Sequence, residues 1–120
     1  MPFMFENLDV YKKSMTFITE TTTLIETFPR GYSYLSDQLG RASLSIATNL
    51  AEGNGRFTKP DRRHFFTIAR GSVHECVPLL DLAARRGFVT NAAHDNLRDR
   101  LEEISKMISG LIKGIDKRSA

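Results

Sequence analysis

Apolar positions recur at alternating steps of three and four through four stretches of the chain, and no stretch alternates with period two over a useful length. Because 3.6 residues complete a helical turn, that spacing lines side chains along one helix face. Leu8, Tyr11, Met15, Ile18, Thr22 and Ile25 predict a first helix over about 7–28, with Asn7 as N-cap and Phe28-Pro29, then Gly31, as its stop. The run Thr21-Thr22-Thr23 has low intrinsic helix propensity, so packing has to hold it. Leu35, Leu39, Ala42, Ile46, Asn49 and Gly53 predict a second helix over about 34–53. Ser33 or Ser36 would cap it, and Gly53-Asn54-Gly55 would end it in left-handed backbone.

A third helix, about 59–86, starts at a Thr58 N-cap with Asp61 near the positive end of its dipole. It carries two stripes: Phe65, Ala69, Ser72, Cys76, Leu79 and Ala83, and beside them Phe66, Val73 and Leu80. Pro78 lies inside the pattern and should kink the helix without ending it, and Gly87 closes it. The fourth helix, about 91–115, begins at a Thr90 cap and repeats Leu97, Leu101, Ile104, Ile108, Leu111 and Ile115. Short connections between four comparable helices predict an all-α fold, an antiparallel up-down-up-down four-helix bundle in one domain over 1–120. The double stripe has two readings: a central, deeply buried helix, or a second face covered by another chain.

Composition narrows the setting. With 41% hydrophobic and 26% charged residues over 120 positions, the chain can build one core without disulfide or metal support. Its single cysteine, Cys76, has no internal partner and fits a reducing cytosol. The first ten residues hold acids and no basic-then-apolar leader, and no apolar run is long enough to span a membrane. A cytoplasmic location and no membrane partner are therefore expected. The net charge of +3 is concentrated in the middle, where residues 29–90 hold nine Arg and Lys against five acids. Such a field attracts polyanions without selecting one.

Catalytic chemistry lacks its parts. His74 and Cys76 are two apart on one helix and point to different faces, and His74-Glu75 has no second histidine four residues after the first. No metal site is expected of them, nor of His64 and His94. Gly53-Asn-Gly-Arg-Phe-Thr-Lys59 follows a helix, not a strand, and lacks the Gly-Lys-Ser/Thr order of a nucleotide loop. Ser72 sits mid-helix, and Cys76 on an apolar stripe, where burial keeps a thiol inert. Glu52 and Glu75 fall several turns apart in the hairpin of helices two and three. No enzyme, cofactor or small-molecule substrate is expected.

Two sets of residues keep functional interest. Arg56, Lys59, Arg62 and Arg63 surround the start of the third helix, where free N–H groups can meet a phosphate. Gln38, Arg41, Asn49, Glu52, Arg70, Ser72 and Glu75 are polar residues close to apolar stripes. Buried charge is costly unless paired, so interhelical pairs are expected: Glu75 with Gln38 or Arg41, and Glu52 with Arg56 or Arg62.

The order Phe28-Pro29, Leu35, Gln38-Leu39, Arg41-Ala-Ser, Ser45-Ile46, Asn49-Leu-Ala-Glu-Gly53, Ile68-Ala-Arg-Gly-Ser72, Glu75 and Met107-Ile-Ser-Gly-Leu-Ile112 resembles the bacterial 23S rRNA intervening-sequence proteins. The likeness runs from about Phe5 to Lys113, and the Asn49–Gly53 and Ala69–Glu75 blocks are its specific part. It implies an up-down-up-down bundle assembling as a homopentamer. It also implies kinship with the accessory variability determinant of diversity-generating retroelements, a basic pentameric barrel that binds nucleic acid and a reverse transcriptase. It implies no enzymatic activity. Pro78 and the His74/Cys76 pair flanking Glu75 depart from the family pattern.

Two functional readings follow. In one, an oligomeric bundle binds RNA or a nucleic-acid–protein complex through a basic rim of Arg56, Lys59, Arg62 and Arg63. In the other, the protein is a protein–protein scaffold, the basic loop is a solvated face, and a partner covers an exposed apolar patch.

Overall fold

A computed structural model of the chain describes residues 3–117. A short 3-10 helix, Met4–Asn7, leads into four α-helices: α1 (Asp9–Ile25), α2 (Ser33–Asn54), α3 (Lys59–Arg85) and α4 (Asn91–Lys117). No strand occurs among the described residues. Each helix touches its two neighbours, α1 with α2 and α4, and α3 with α2 and α4, while the diagonal pairs do not meet. That square of antiparallel helices is the up-down-up-down bundle, about 50 Å long and 25 by 22 Å across.

One core runs through the square. Phe17, Leu39, Ile46, Leu50, Leu80, Leu101, Ile104 and Ile108 are fully buried in it. A smaller cluster of Leu35, Ala83 and Val89, flanked by Phe28 and Phe88, closes the end where α1 turns into α2 and α3 into α4. Both stripes of α3 enter this core: Phe66, Val73 and Leu80 are buried alongside Ala69, Cys76 and Ala83. The second stripe is thus consumed within the chain, while α3 keeps an exposed outer face that includes Ile68, Gly71 and Glu75.

The helix bounds follow the periodicity closely, except at α1. That helix starts two residues later and ends three earlier than the apolar spacing suggests. Asn7 lies in the 3-10 helix, and the N-cap position is Leu8, without a side-chain cap. The face that enters the core is Val10, Ser14, Phe17, Ile18 and Thr21, whereas Leu8, Tyr11, Met15 and Ile25 pack at its edge. Small polar side chains made this possible. Ser14 Oγ donates to the Val10 carbonyl at 2.7 Å, and Thr19, Thr22 and Thr23 donate to carbonyls one turn back at 2.8–3.0 Å.

The helix ends also differ from expectation. Tyr32 is the N-cap of α2 with no side-chain bond, and Ser36 Oγ donates to the Ser33 carbonyl, so neither serine caps it. Gly53 and Asn54 belong to the helix, and Gly55 ends it in right-handed backbone with φ −84°. Left-handed glycines stand at Gly31 (φ 93°) and Gly87 (φ 79°). At Gly87 the N–H groups of Gly87 and Phe88 reach back to the Ala84 and Ala83 carbonyls at 3.0 and 2.9 Å. These two bonds satisfy carbonyls that the end of α3 leaves open. Thr58 and Thr90 do cap α3 and α4, accepting from Asp61 N at 3.3 Å and Ala93 N at 3.1 Å. α3 continues through Pro78 to Arg85, so the proline costs the His74 carbonyl its usual donor without breaking the helix.

Candidate functional site

The α2–α3 turn, residues 55–58, sits at one end of the bundle beside the 3-10 helix. The cations expected to form a rim there are partly neutralised by the chain's own acids. Arg56 donates to Glu52 Oε2 at 2.8 Å and lies 4.4 Å over the Phe65 ring. Arg63 is ion-paired with Asp116 of α4. Arg62 is half-buried, and its Nε has no partner. Lys59 and Pro60 open the helix, Pro60 has no N–H, and Asp61 N is occupied by Thr58 Oγ1. The first turn of α3 therefore offers an anion fewer donors than a helix start normally does.

Apolar groups at the same end escaped the periodicity. Phe57 is fully exposed in the turn (101%), and Phe3 and Met4 are exposed at 69% and 81%. Together with Phe5, Thr48, Ala51 and Asp61 they line an open concavity of about 850 Å³. None of these aromatics belongs to a helical stripe, and an aromatic stranded between two helix signals was the one trace of them in the sequence.

The expected polar network between α2 and α3 is only partly formed. Glu52 does pair with Arg56, but this is a contact within one segment and not a bridge between helices. Glu75 pairs with neither Gln38 nor Arg41; all three are exposed, with no hydrogen bond or ion pair among the described residues. Long side chains on an outer face keep full hydration, which a weak exposed pair does not repay. What joins the helices is smaller. Ser72 Oγ donates to Ser45 Oγ at 2.8 Å, and Asn49 Nδ2 donates to the same Ser45 Oγ and to its carbonyl, both at 2.9 Å.

Polar registration is instead densest between α3 and α4. Arg63 meets Asp116, Arg70 Nε donates to Ser109 Oγ at 3.0 Å, and His74 Nε2 lies 3.2 Å from Ser105 Oγ. Steps of seven and four along α3 are mirrored by steps of seven and four backwards along α4, as an antiparallel pair in constant register requires. Further along, His94 Nε2 lies 2.7 Å from Asp81 Oδ1, with Arg98 at 3.7 Å from the same oxygen. Arg70 and the histidines are therefore parts of helix–helix contacts, apart from His64, which stacks edge-on against Phe65.

No three His, Cys, Asp or Glu side chains among the described residues converge to hold a metal ion. Cys76 is buried, and that burial, reinforced by the Glu75 charge, pushes its thiol up to about 12. No helix among the described residues is long and apolar enough to cross a membrane.

Comparison with known proteins agrees with this architecture. The chain is similar to a crystal structure from Bacteroides thetaiotaomicron, described as a protein with unknown function from the S23 ribosomal protein family. The two share 24% identity and a TM-score of 0.80, over 87% of this chain and 95% of that one. At that identity the likeness speaks for the fold alone. No curated protein matches the sequence. The family model of the 23S rRNA-intervening sequence protein matches residues 6–110, and the chain belongs to that family.

Proposed function

We propose that the protein is a non-enzymatic bundle that assembles with copies of itself through the outer face of α2 and α3. The observation that carries this reading is a pair of unpaired opposite charges set among exposed apolar groups. Taken from the Ser45–Ser72 contact, Arg41 and Glu75 both lie about one turn towards the same end, on antiparallel helices, and neither has an ion-pair partner among the described residues. Leu44 (52% exposed) and Ile68 (39%) lie on the same two helices. Gly71 leaves open space where a side chain would stand, which lets another backbone approach. Opposite charges on two neighbouring helices let the α2 side of one copy meet the α3 side of the next, and such a head-to-tail contact between different surfaces closes into a ring when its rotation divides the circle. The resemblance drawn from the sequence puts the number at five.

A cytoplasmic setting accords with the one reduced, buried cysteine. Nucleic-acid binding at the α2–α3 turn has thinner support, because Glu52, Asp61 and Asp116 stand among the four cations. Repeating that turn around a ring would multiply the remaining charge, and such binding would weaken steeply with salt.

Light scattering across protein concentration tests the assembly. A mass near five times the 13.6 kDa chain is expected, falling to a single chain in Leu44→Glu/Ile68→Glu with its helical circular dichroism retained. A wild-type monomer at tens of micromolar, or an oligomer indifferent to these changes, would overturn it. Retention of total RNA at low salt, lost at physiological salt, would add the nucleic-acid role.

A further inference from the structure

Two exposed stripes on the outer face of the bundle stand in a fixed relation to each other. Along α2, Arg41, Leu44, Thr48, Ala51 and Gly55 recur at alternating steps of three and four, and along α3 so do His64, Ile68, Gly71 and Glu75. All but the half-buried Ala51 are exposed. The Ser45–Ser72 hydrogen bond sets the relative height of the two stripes. At a rise of about 1.5 Å per residue, Arg41 and Glu75 lie about 6 and about 4.5 Å from it towards the α1–α2 turn. Leu44 and Gly71 lie within about 1.5 Å of it, and Thr48 and Ile68 about 4.5 and about 6 Å from it the other way. Ala51 and His64 follow at about 9 and about 12 Å.

A closed ring of identical copies has no translation along its axis, so residues of equal height meet when the bundles stand along that axis. At each height the two stripes are complementary. Arg41 faces the level of Glu75, and neither has an ion-pair partner among the described residues. Leu44, 52% exposed, faces the level of Gly71, where a side chain would meet nothing within 4 Å. The open hollow of about 850 Å³ lined by Thr48, Ala51, Gly55 and Phe57 faces the level of Ile68 and His64. We infer that the copies pack side by side with their long axes along the axis of the ring, Arg41 paired with the next copy's Glu75 and Leu44 seated over the next copy's Gly71. The next copy's Ile68 and His64 then cover Phe57 in the hollow. This register rests on the self-assembly proposed above and assigns its contacts. It gives a role to features that the single chain does not use: two unpaired opposite charges at one height, a mid-helix glycine beside empty space, and an aromatic that covers no core. Large apolar groups exposed together in this way mark an interaction surface.

Charge reversal read by light scattering tests the pairing. Arg41→Glu and Glu75→Arg should each raise the dissociation constant of the assembly about tenfold or more, and Arg41→Glu/Glu75→Arg in one chain should restore it. Gly71→Leu should block assembly with helical circular dichroism retained. Cross-linking gives a second reading that does not depend on the strength of assembly. Arg41→Cys and Glu75→Cys chains, both also carrying Cys76→Ala, are mixed and oxidised with copper phenanthroline. Disulfide-linked pairs of one chain of each kind are expected, with little linkage when either kind is oxidised alone. An assembled wild type whose mass is indifferent to both single reversals, or cysteines that link like to like, would overturn the register and leave the assembly standing. A wild-type monomer would overturn the assembly and the register with it.

Discussion

Gly53 of α2 lies against Phe66 of α3 so closely that a Cβ on the glycine would come 2.6 Å from ring atom Cε1 and 2.7 Å from Cδ1. The Arg62 carbonyl stands 3.3 Å from the same point. The glycine ends neither the helix nor a turn. It is the place where two helices approach near the turn that joins them, and its missing side chain sets how close they come. Phe66 is almost fully buried, so the ring has little room to move aside.

Gly53→Ala should therefore destabilise the fold. Overpacking of about 1–3 kcal/mol competes with a helix-propensity gain of about 1 kcal/mol. A net loss of about 1 kcal/mol is expected, read as a lower thermal midpoint. An unchanged or raised midpoint would mean that the ring yields freely.

Thr21 makes the opposite case. Its side chain is fully buried and its Oγ1 has no hydrogen-bond partner, unlike the neighbouring threonines that bond one turn back. A buried unsatisfied hydroxyl costs about 1–3 kcal/mol, and valine has nearly the same shape without that cost. Thr21→Val should raise stability by about 1 kcal/mol in urea unfolding with an unchanged m-value. A loss would show that the hydroxyl is bonded.

Cys76 ties stability to alkaline pH. Its thiol is held at about 12 in the fold against 9.0 when unperturbed, so between those values the unfolded chain loses a proton that the folded chain keeps. Stability from this group is whole below about pH 9 and falls as pH rises towards about 12. Cys76→Ala should remove that part of the decline, at the price of a small cavity. At pH 8 a disulfide reagent should modify native Cys76 only as fast as the fold opens. Rapid stoichiometric labelling would contradict the burial.

The α3–α4 contacts separate register from stability. Arg63 and Asp116 are both substantially exposed, and the Arg70–Ser109 bond is at the surface. Arg70→Ala or Arg63→Ala should cost about 0.2–1 kcal/mol each, less for Arg63 in high salt. Leu101→Ala, which empties a fully buried site, should cost about 2–5 kcal/mol. Equal effects would mean that the polar pairs do more than align the helices.

Much of the architecture was legible in the apolar spacing. The α3 and α4 bounds, the Thr58 and Thr90 caps and the Gly87 stop are local matters, decided by residues within a turn of one another. The first helix was harder, because Ser14 and Thr21 enter the core as small polar groups that a pattern of large apolar residues passes over. The α2–α3 polar network formed only in part, for a related reason. Sequence spacing put Arg41 and Glu75 at one level, but whether charged ends pair or stay in water depends on a balance that spacing does not contain.

The order of apolar and polar residues by itself thus determined four helices, their approximate bounds, their antiparallel sequence and the burial of Cys76, since 3.6-residue periodicity and end chemistry are written locally. Only the tertiary structure decided that both stripes of α3 are spent inside the chain and that Gly53 is a contact and not a stop. It alone decided that the α2–α3 cations are met by Glu52 and Asp116, and that Phe3, Met4 and Phe57 gather at one end. Each of these depends on which side chains from distant segments arrive at the same place, and the period of a single helix carries no information about its neighbour.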